Sequence, residues 1–256
     1  MIKKGEKWSE KELIITLALY FKLPFGKLNH CTKEVKDLAK LIGRTDNSVA
    51  LRLSNFAACD PYIIESGRHG MSAGVKVCQP IWDRYVLNKE KLYLDASLIQ
   101  SEYEQKTIEQ FLQITNTDLI GKERESLIKQ RVNQNVFRQM ILNNYNNQCA
   151  ITSINDSRLL IASHIVPWSV NKDIRLNPDN GICLSVLYDK AFDEGLITIR
   201  CDDYTVEISN SLKYTLTKDT YVDYFAKFEN KKIILPEEHS PNKEFLLYHN
   251  NNIFIK

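Results

Sequence analysis

Residues 162–199 limit the fold of this chain most, because three short segments follow one another there at fixed intervals. The apolar run Leu159 to Ile161 leads through Ala162-Ser163 to His164, and Pro167-Trp168 then makes a turn. His164 is therefore expected at the end of a strand, facing a cleft. A side chain that titrates near neutrality can take a proton from water at such a place. Asn180-Gly181 is a turn signal ahead of Ile182-Cys183-Leu184, and an asparagine there can bond backbone groups and lock a loop. Asp189 and Asp193 stand four apart on an expected helix, so both carboxylates project from one face. Paired hard oxygen ligands suit Mg²⁺ or a similar ion whose shell is completed by water and phosphate. Each piece alone has an ordinary structural use, and only their order and spacing together point to chemistry.

The first 90 residues carry helical signals instead. Ser9-Glu10-Lys11-Glu12 is a capping-box pattern ahead of Leu13 to Leu23, and Pro24 and Gly26 end that helix. A second helix is expected from Thr32, with Val35, Leu38, Ala39 and Ile42 at helical spacing and a stop at Gly43. A third begins at Thr45-Asp46-Asn47 and is broken by Asp60-Pro61. Two short helices joined across a glycine have the outline of a helix-turn-helix, which small helical bundles share. A DNA-recognition domain and a protein-interaction domain both fit that outline.

In the DNA reading, Ser48, Arg52 and Asn55 share one face of the third helix while Val49, Leu53 and Phe56 turn inward. Arg52 and Asn55 would then contact bases, and Lys36, with Lys33 and Lys40, would attract phosphates. Glu65 to Gly74 reads as a flexible loop from which Arg68 or His69 could reach a phosphate. Residues 1–95 hold 16 Lys and Arg against 11 Asp and Glu, an excess of +5 within a chain whose net charge is only +2. A basic front suits a phosphate-contacting module as well as a solvated surface.

The sequence thus divides into a helical domain over 1–95, a polar helical connector over 96–132 and an α+β domain over 133–256. A helix through Val136, Phe137, Met140, Ile141 and Tyr145 leads into the last, where strands are expected at Thr205 to Ile208, Ile233 to Pro236 and Phe245 to Ile255. No run approaches the roughly 18 apolar residues of a membrane span, and MIKKGEKWSE lacks the pattern of a signal peptide, so a cytoplasmic protein with no membrane partner is expected. Six cysteines without a Cys-x-x-Cys pair are read as reduced, mostly buried thiols.

Ser163-His164-Ile165-Val166-Pro167-Trp168, Asn177-Pro178-Asp179-Asn180-Gly181 and Ala191-Phe192-Asp193-Glu194-Gly195-Leu196 together resemble the HNH nuclease family, in a bacterial branch of restriction and defence type. The resemblance covers residues 135 to 200, with weaker likeness at Leu235-Pro236 and Leu246 to His249, and the N-terminal helices resemble a domain often fused to such nucleases. It implies a ββα-metal fold, a hairpin followed by a helix around one divalent ion, that hydrolyses phosphodiester bonds of double-stranded DNA to 5′-phosphate and 3′-hydroxyl ends. His164 would be the general base, Asn180 would tie the His164 loop to the hairpin, and Ser163, Asp189 and Asp193 would hold the metal. Of the nearby cations Lys172, Arg175 and Lys190, Arg175 is expected to grip the phosphate.

Two departures from the family pattern bear on the metal. Serine at 163 is a poorer ligand than the usual Asp or His, and Asp189 replaces a histidine, which favours Mg²⁺ or Mn²⁺. Cys149 has no Cys-x-x-Cys partner, so no structural zinc is expected. The rival expectations are a DNA-binding protein with a decayed metal site and a nuclease subunit whose first domain binds protein in a larger defence assembly. A homodimer is the arrangement that would let both strands be cut.

Overall fold

A computed structural model of the chain describes residue 3, residues 5–115 and residues 120–256. They form two compact units, Met1–Val136 and Phe137–Lys256. No helix among the described residues is long and apolar enough to cross a membrane.

The first unit is helical. Helix α1 (Glu10–Tyr20) begins where Ser9 Oγ accepts the Glu12 N–H and the Glu12 carboxylate accepts the Ser9 N–H at 2.8 Å, the reciprocal cap expected from the sequence. It buries Leu13, Ile14, Ile15, Leu17, Ala18 and Tyr20. Those positions go all round the helix, so α1 must be enclosed. The helices that follow are α2 (Lys33–Ile42), α3 (Asp46–Ala57), α4 (Pro61–Glu65), α5 (Val75–Tyr85), α6 (Lys89–Tyr103) and α7 (Ile108–Leu112), and α2, α3, α5 and α6 all pack on α1. Helix α2 stops at Gly43, and Thr45 caps α3 by accepting the Ser48 N–H. Glu12, buried beneath this turn, receives Arg44 Nη2 at 2.8 Å, Arg44 Nε at 3.2 Å and Lys3 Nζ at 2.9 Å. Burial pushes the Glu12 carboxyl up, but these donors outweigh it and hold the group at about 2.

Two expectations for this unit need correction. The boundary placed at 95/96 falls inside α6, whose Leu92, Tyr93, Ala96 and Ile99 are buried. Residues 96–132 are therefore not a separate connector, because the apolar spacing runs on beneath a polar exterior. The segment Glu65 to Gly74 is not a free loop either. Met71 N–H donates to the Ser54 carbonyl at 3.0 Å, and a Cβ on Gly70 would lie 2.3 Å from that same oxygen. Glycine is needed there for close packing on α3 rather than for flexibility.

Helix α8 (Gly121–Asn144) contributes to both units, with Val132 buried in the first and Phe137 and Ile141 in the core of the second. In the second unit, β1 (Leu160–His164) and β2 (Gly181–Ser185) pair antiparallel, with His164 opposite Gly181 and Ser163 opposite Ile182. Helix α9 (Val186–Asp193) leaves β2 directly and packs on both strands, completing a ββα unit. All five β2 positions are buried, and at Gly181 a Cβ would lie 2.3 Å from Ile141 Cδ1 and 2.7 Å from Phe137 Cζ. Beyond it lie β3 (Ile197–Ile199), β4 (Val206–Ile208), α10 (Asn210–Thr215), α11 (Lys218–Tyr224) and α12 (Lys243–Asn252). The architecture is α+β, with a helical first unit.

Part of the C-terminal expectation fails. Thr205 to Ile208 does form β4 with a bridge at its start, but Phe245 to Ile255 is mostly helix α12 rather than a strand. Asn242 caps that helix by accepting the Glu244 N–H, and Leu246 and His249 bury one face three residues apart. Ile233 and Ile234 are bonded to Tyr204 and Ala150 carbonyls without joining a named strand. Helices α10 and α11 are capped by Ser209 and Thr217. Of the cysteines, all unbridged, Cys59, Cys78, Cys149 and Cys183 are buried.

Candidate active site

The hairpin places His164 as the last residue of β1, half-buried where the chain leaves for the loop 165–180. Its ring lies flat on Phe137, centroids 3.7 Å apart at 10°, and meets Trp168 edge-on at 5.5 Å. Nε2 faces the Arg175 carbonyl at 3.2 Å. A carbonyl can only accept, so Nε2 carries the hydrogen and Nδ1 keeps the lone pair. Nδ1 has no hydrogen-bond partner among the described residues. Burial, aided by the Arg175 charge, holds His164 below its ordinary range against the pull of that carbonyl, which keeps the ring neutral near pH 7.

Asn180 closes the base of the loop. Its Oδ1 accepts the Val166 N–H at 2.9 Å, its Nδ2 donates to the Val166 carbonyl at 3.2 Å, and its own carbonyl accepts the Ile165 N–H at 2.9 Å. Asn180 is fully buried and touches no open face, so it acts through the backbone next to His164. Arg175 serves twice. Its carbonyl takes the His164 hydrogen, while its side chain donates Nε to the Trp168 carbonyl at 3.2 Å and lies over the Trp168 ring at 4.8 Å. Its two terminal nitrogens have no hydrogen bond among the described residues, so they are available to an oxyanion.

Asp189 and Asp193 lie on α9, with Asp193 the more exposed. Both carboxyls are raised. Desolvation leads in each case, and for Asp193, pushed up to about 6, the Asp189 charge adds to it. The Ser163 hydroxyl is buried beside Asp189 and favours its ionised form, yet makes no hydrogen bond of normal geometry among the described residues. Two mutually repelling carboxylates next to an orphaned hydroxyl are a donor set that a hard divalent cation satisfies. No three His, Cys, Asp or Glu side chains among the described residues converge as a metal-binding group, so the protein offers two carboxylates and at most one hydroxyl. Lys190, on the same helix, is exposed and pairs with Glu194.

Sequence reasoning missed several supports. Phe137 reads in the sequence only as part of a helix face, yet it lies under His164; its spacing to Ile141 and the bare Gly181 opposite His164 are the signals that locate it. Arg138 ties α8 to the hairpin by donating to the Leu160 carbonyl at 2.6 Å and to the Ser157 carbonyl at 2.8 Å. Cys149, read in the sequence as a buried thiol without a zinc partner, accepts the Ser185 N–H at 3.2 Å and the Thr152 N–H at 3.4 Å. His249, from α12, stacks on Phe192 and bonds the Phe192 carbonyl one residue ahead of Asp193.

The face expected to read DNA in the first unit is not offered as such. Asn55 is buried, donates to the Met71 carbonyl at 2.7 Å and is packed against Gly74. Arg52 lies over the Trp8 ring at 4.9 Å and points Nη1 at the Cys78 sulfur at 3.7 Å. Asn55 is therefore corrected as a base reader, because it is turned inward, whereas Arg52 is half-buried and engaged by Trp8 and Cys78 beside α5 and the 72–74 turn, which pack on α3. Ser48 is half-buried, and Arg68 lies over the Phe25 ring. Lys33, Lys36 and Lys40 on α2 are exposed.

Residues 149–200 match a family model described as HNH endonuclease. The match takes in β1, the loop, β2, α9 and β3, and it supports a nuclease domain of that family in this segment. No curated protein matches the chain.

Proposed function

We propose that the second unit is a metal-dependent endonuclease, taking Mg²⁺ or Mn²⁺, that hydrolyses phosphodiester bonds of double-stranded DNA in restriction or antiphage defence in the cytoplasm. The observation that carries the reading is His164, with one ring nitrogen pinned to the Arg175 carbonyl and the other left as an unengaged base. The defence role rests on the resemblance of the three motifs to the restriction branch.

A divalent ion held by Asp189 and Asp193, directly or through water at Ser163, would supply Lewis-acid stabilisation of charge developing on the phosphate. His164 Nδ1 removes a proton from water, and the resulting hydroxide attacks phosphorus as the bond to the 3′-oxygen breaks. The 3′-oxygen gains a proton from solvent, leaving 5′-phosphate and 3′-hydroxyl ends. Asn180 and the Arg175 carbonyl keep the imidazole in one tautomer, and the Arg175 guanidinium holds a phosphate oxygen. A homodimer would bring two such sites to opposite strands.

A second reading of the first unit is favoured by the burial of Asn55 and the packing of Arg52 on Trp8. With its expected reading face filled, this unit would bind protein in a larger assembly, and Lys33, Lys36 and Lys40 would add only sequence-independent attraction to DNA.

Supercoiled plasmid incubated with the full chain and Mg²⁺ or Mn²⁺ tests the activity. Metal-dependent nicking is expected, lowered roughly 10²- to 10⁴-fold in His164→Ala. A wild-type protein that binds DNA but never nicks it with either ion would leave the decayed-site alternative.

A further inference from the structure

His164 and His249 share an arrangement that separates scaffold from chemistry. Each imidazole lies flat on a phenylalanine at 3.7 Å, Phe137 for His164 and Phe192 for His249. Each turns Nε2 to a backbone carbonyl, at 3.2 Å and 3.0 Å. They differ at Nδ1. On His249 it is met by the Thr198 hydroxyl at 2.7 Å, whereas on His164 it has no partner among the described residues. His249 is thus restrained at both nitrogens and His164 at one.

One bond of 3.2 Å at a half-buried site is a weak restraint on a ring whose final torsion is intrinsically broad. The second restraint on His164 is the flat face of Phe137. Turning the imidazole about its last torsion would drive a ring edge into Phe137 on one side, while Trp168 stands edge-on to it. Phe137 cannot give way easily. It is 2% exposed, and its Cζ fills the space where a side chain on Gly181 would stand. Gly181 is the residue paired with His164 across the hairpin, so three elements, α8, β1 and β2, meet at this stack.

We propose that Phe137 is a positioning residue for the reaction: its ring, seated over the bare Gly181, fixes the plane of His164 so that Nδ1 is presented in one direction. This rests on His164 as the general base, but its geometric part can be read without activity. In the full chain, labelled for NMR at fixed pH, the His164 ring C–H vectors should have order parameters near 0.85 in wild type and below about 0.6 in Phe137→Leu. The His249 ring signals should be unchanged, which reports an intact fold. In plasmid nicking, Phe137→Leu should lower kcat roughly 10- to 100-fold with KM for DNA unchanged. Phe137→Met, which is flexible and adapts to irregular space but has no flat face, is the second variant and should behave alike. A His164 ring that stays rigid in both variants, or a kcat that stays at the wild-type value, overturns the proposal. If wild type does not nick at all, the nuclease reading fails, while the ring dynamics still decide whether Phe137 holds His164.

Discussion

Asn180 takes Val166 by both backbone groups, accepting its N–H at 2.9 Å and donating to its carbonyl at 3.2 Å. With the Asn180 carbonyl on the Ile165 N–H, this extends the hairpin ladder past His164 and shuts the 165–180 loop at its base. What Asn180 touches is backbone, and any effect on chemistry would pass through the loop it holds still.

Asn180→Ala should therefore lose both stability and activity. It leaves the N–H and carbonyl of Val166 without these partners in a buried place, a cost of about 2 kcal/mol or more. Asn180→Asp should not restore the loss, because a carboxylate would face the Val166 carbonyl. Denaturant unfolding together with plasmid nicking checks this; an alanine variant with unchanged stability and turnover would remove Asn180 from the machinery.

Metal removal is the next test. A chelator should abolish nicking, and added Mg²⁺ should restore it. Calorimetry should show Mg²⁺ affinity lost in Asp189→Ala and weakened similarly or somewhat less in Asp193→Ala, with Ser163→Ala milder than either. Equal affinity in wild type and the Asp189→Ala, Asp193→Ala double variant would show that the ion, if any, binds elsewhere.

The buried His249 adds an acid-sensitive contribution to the second unit. Burial pushes its pKa down to about 4, against an ordinary value of 6.5 that the unfolded chain recovers. Between those values His249 binds its proton in the unfolded state first, so its contribution to stability is complete above pH 6.5 and is lost as pH drops towards 4, by about 3 kcal/mol for this one group. Glu12 in the first unit behaves differently. Its depressed carboxyl leaves that unit's contribution intact until below about 4.5 and lost towards 2. The raised carboxyls of Asp189 and Asp193 take up protons in the folded second unit over the same range and oppose this loss, so the check is a comparison: denaturant unfolding across a pH series should show His249→Gln losing less stability than wild type between 6.5 and 4.

The first unit divides its arginine from its lysines. Arg52→Ala should lower thermal stability through loss of the Trp8 contact, without moving any cleavage site. Lys36→Ala should weaken duplex binding about equally on all sequences and reduce the salt slope by roughly 1. End sequencing of cut DNA decides it: a shifted site preference in a fully stable Arg52→Ala would return Arg52 to base reading.

Local signals were legible wherever one short stretch of chain contains both partners. Ser9 with Glu12, Gly43, Thr45 and the strand-end His164 all stand where periodicity and capping chemistry put them. The ββα order could also be read from the spacing of His164, Asn180, Asp189 and Asp193, since hairpin and helix are consecutive in the chain. Contacts between distant segments were not legible. Asn55 and Arg52 have the polarity of a surface face, but α5 and the 72–74 turn cover it, and helical periodicity alone cannot tell a polar residue satisfied inside from one facing solvent. Phe245 to Ile255 alternates enough to suggest a strand, yet the His249 bond to Phe192, 57 residues away, and its Thr198 partner favour the helix. What only the tertiary structure decided is the state of each candidate site group: which nitrogen of His164 has no partner among the described residues, which hydroxyl lacks one, and which aromatic ring stacks on the imidazole. Those depend on desolvation and on donors brought from α8, the 165–180 loop and α12, and no stretch of sequence contains them together.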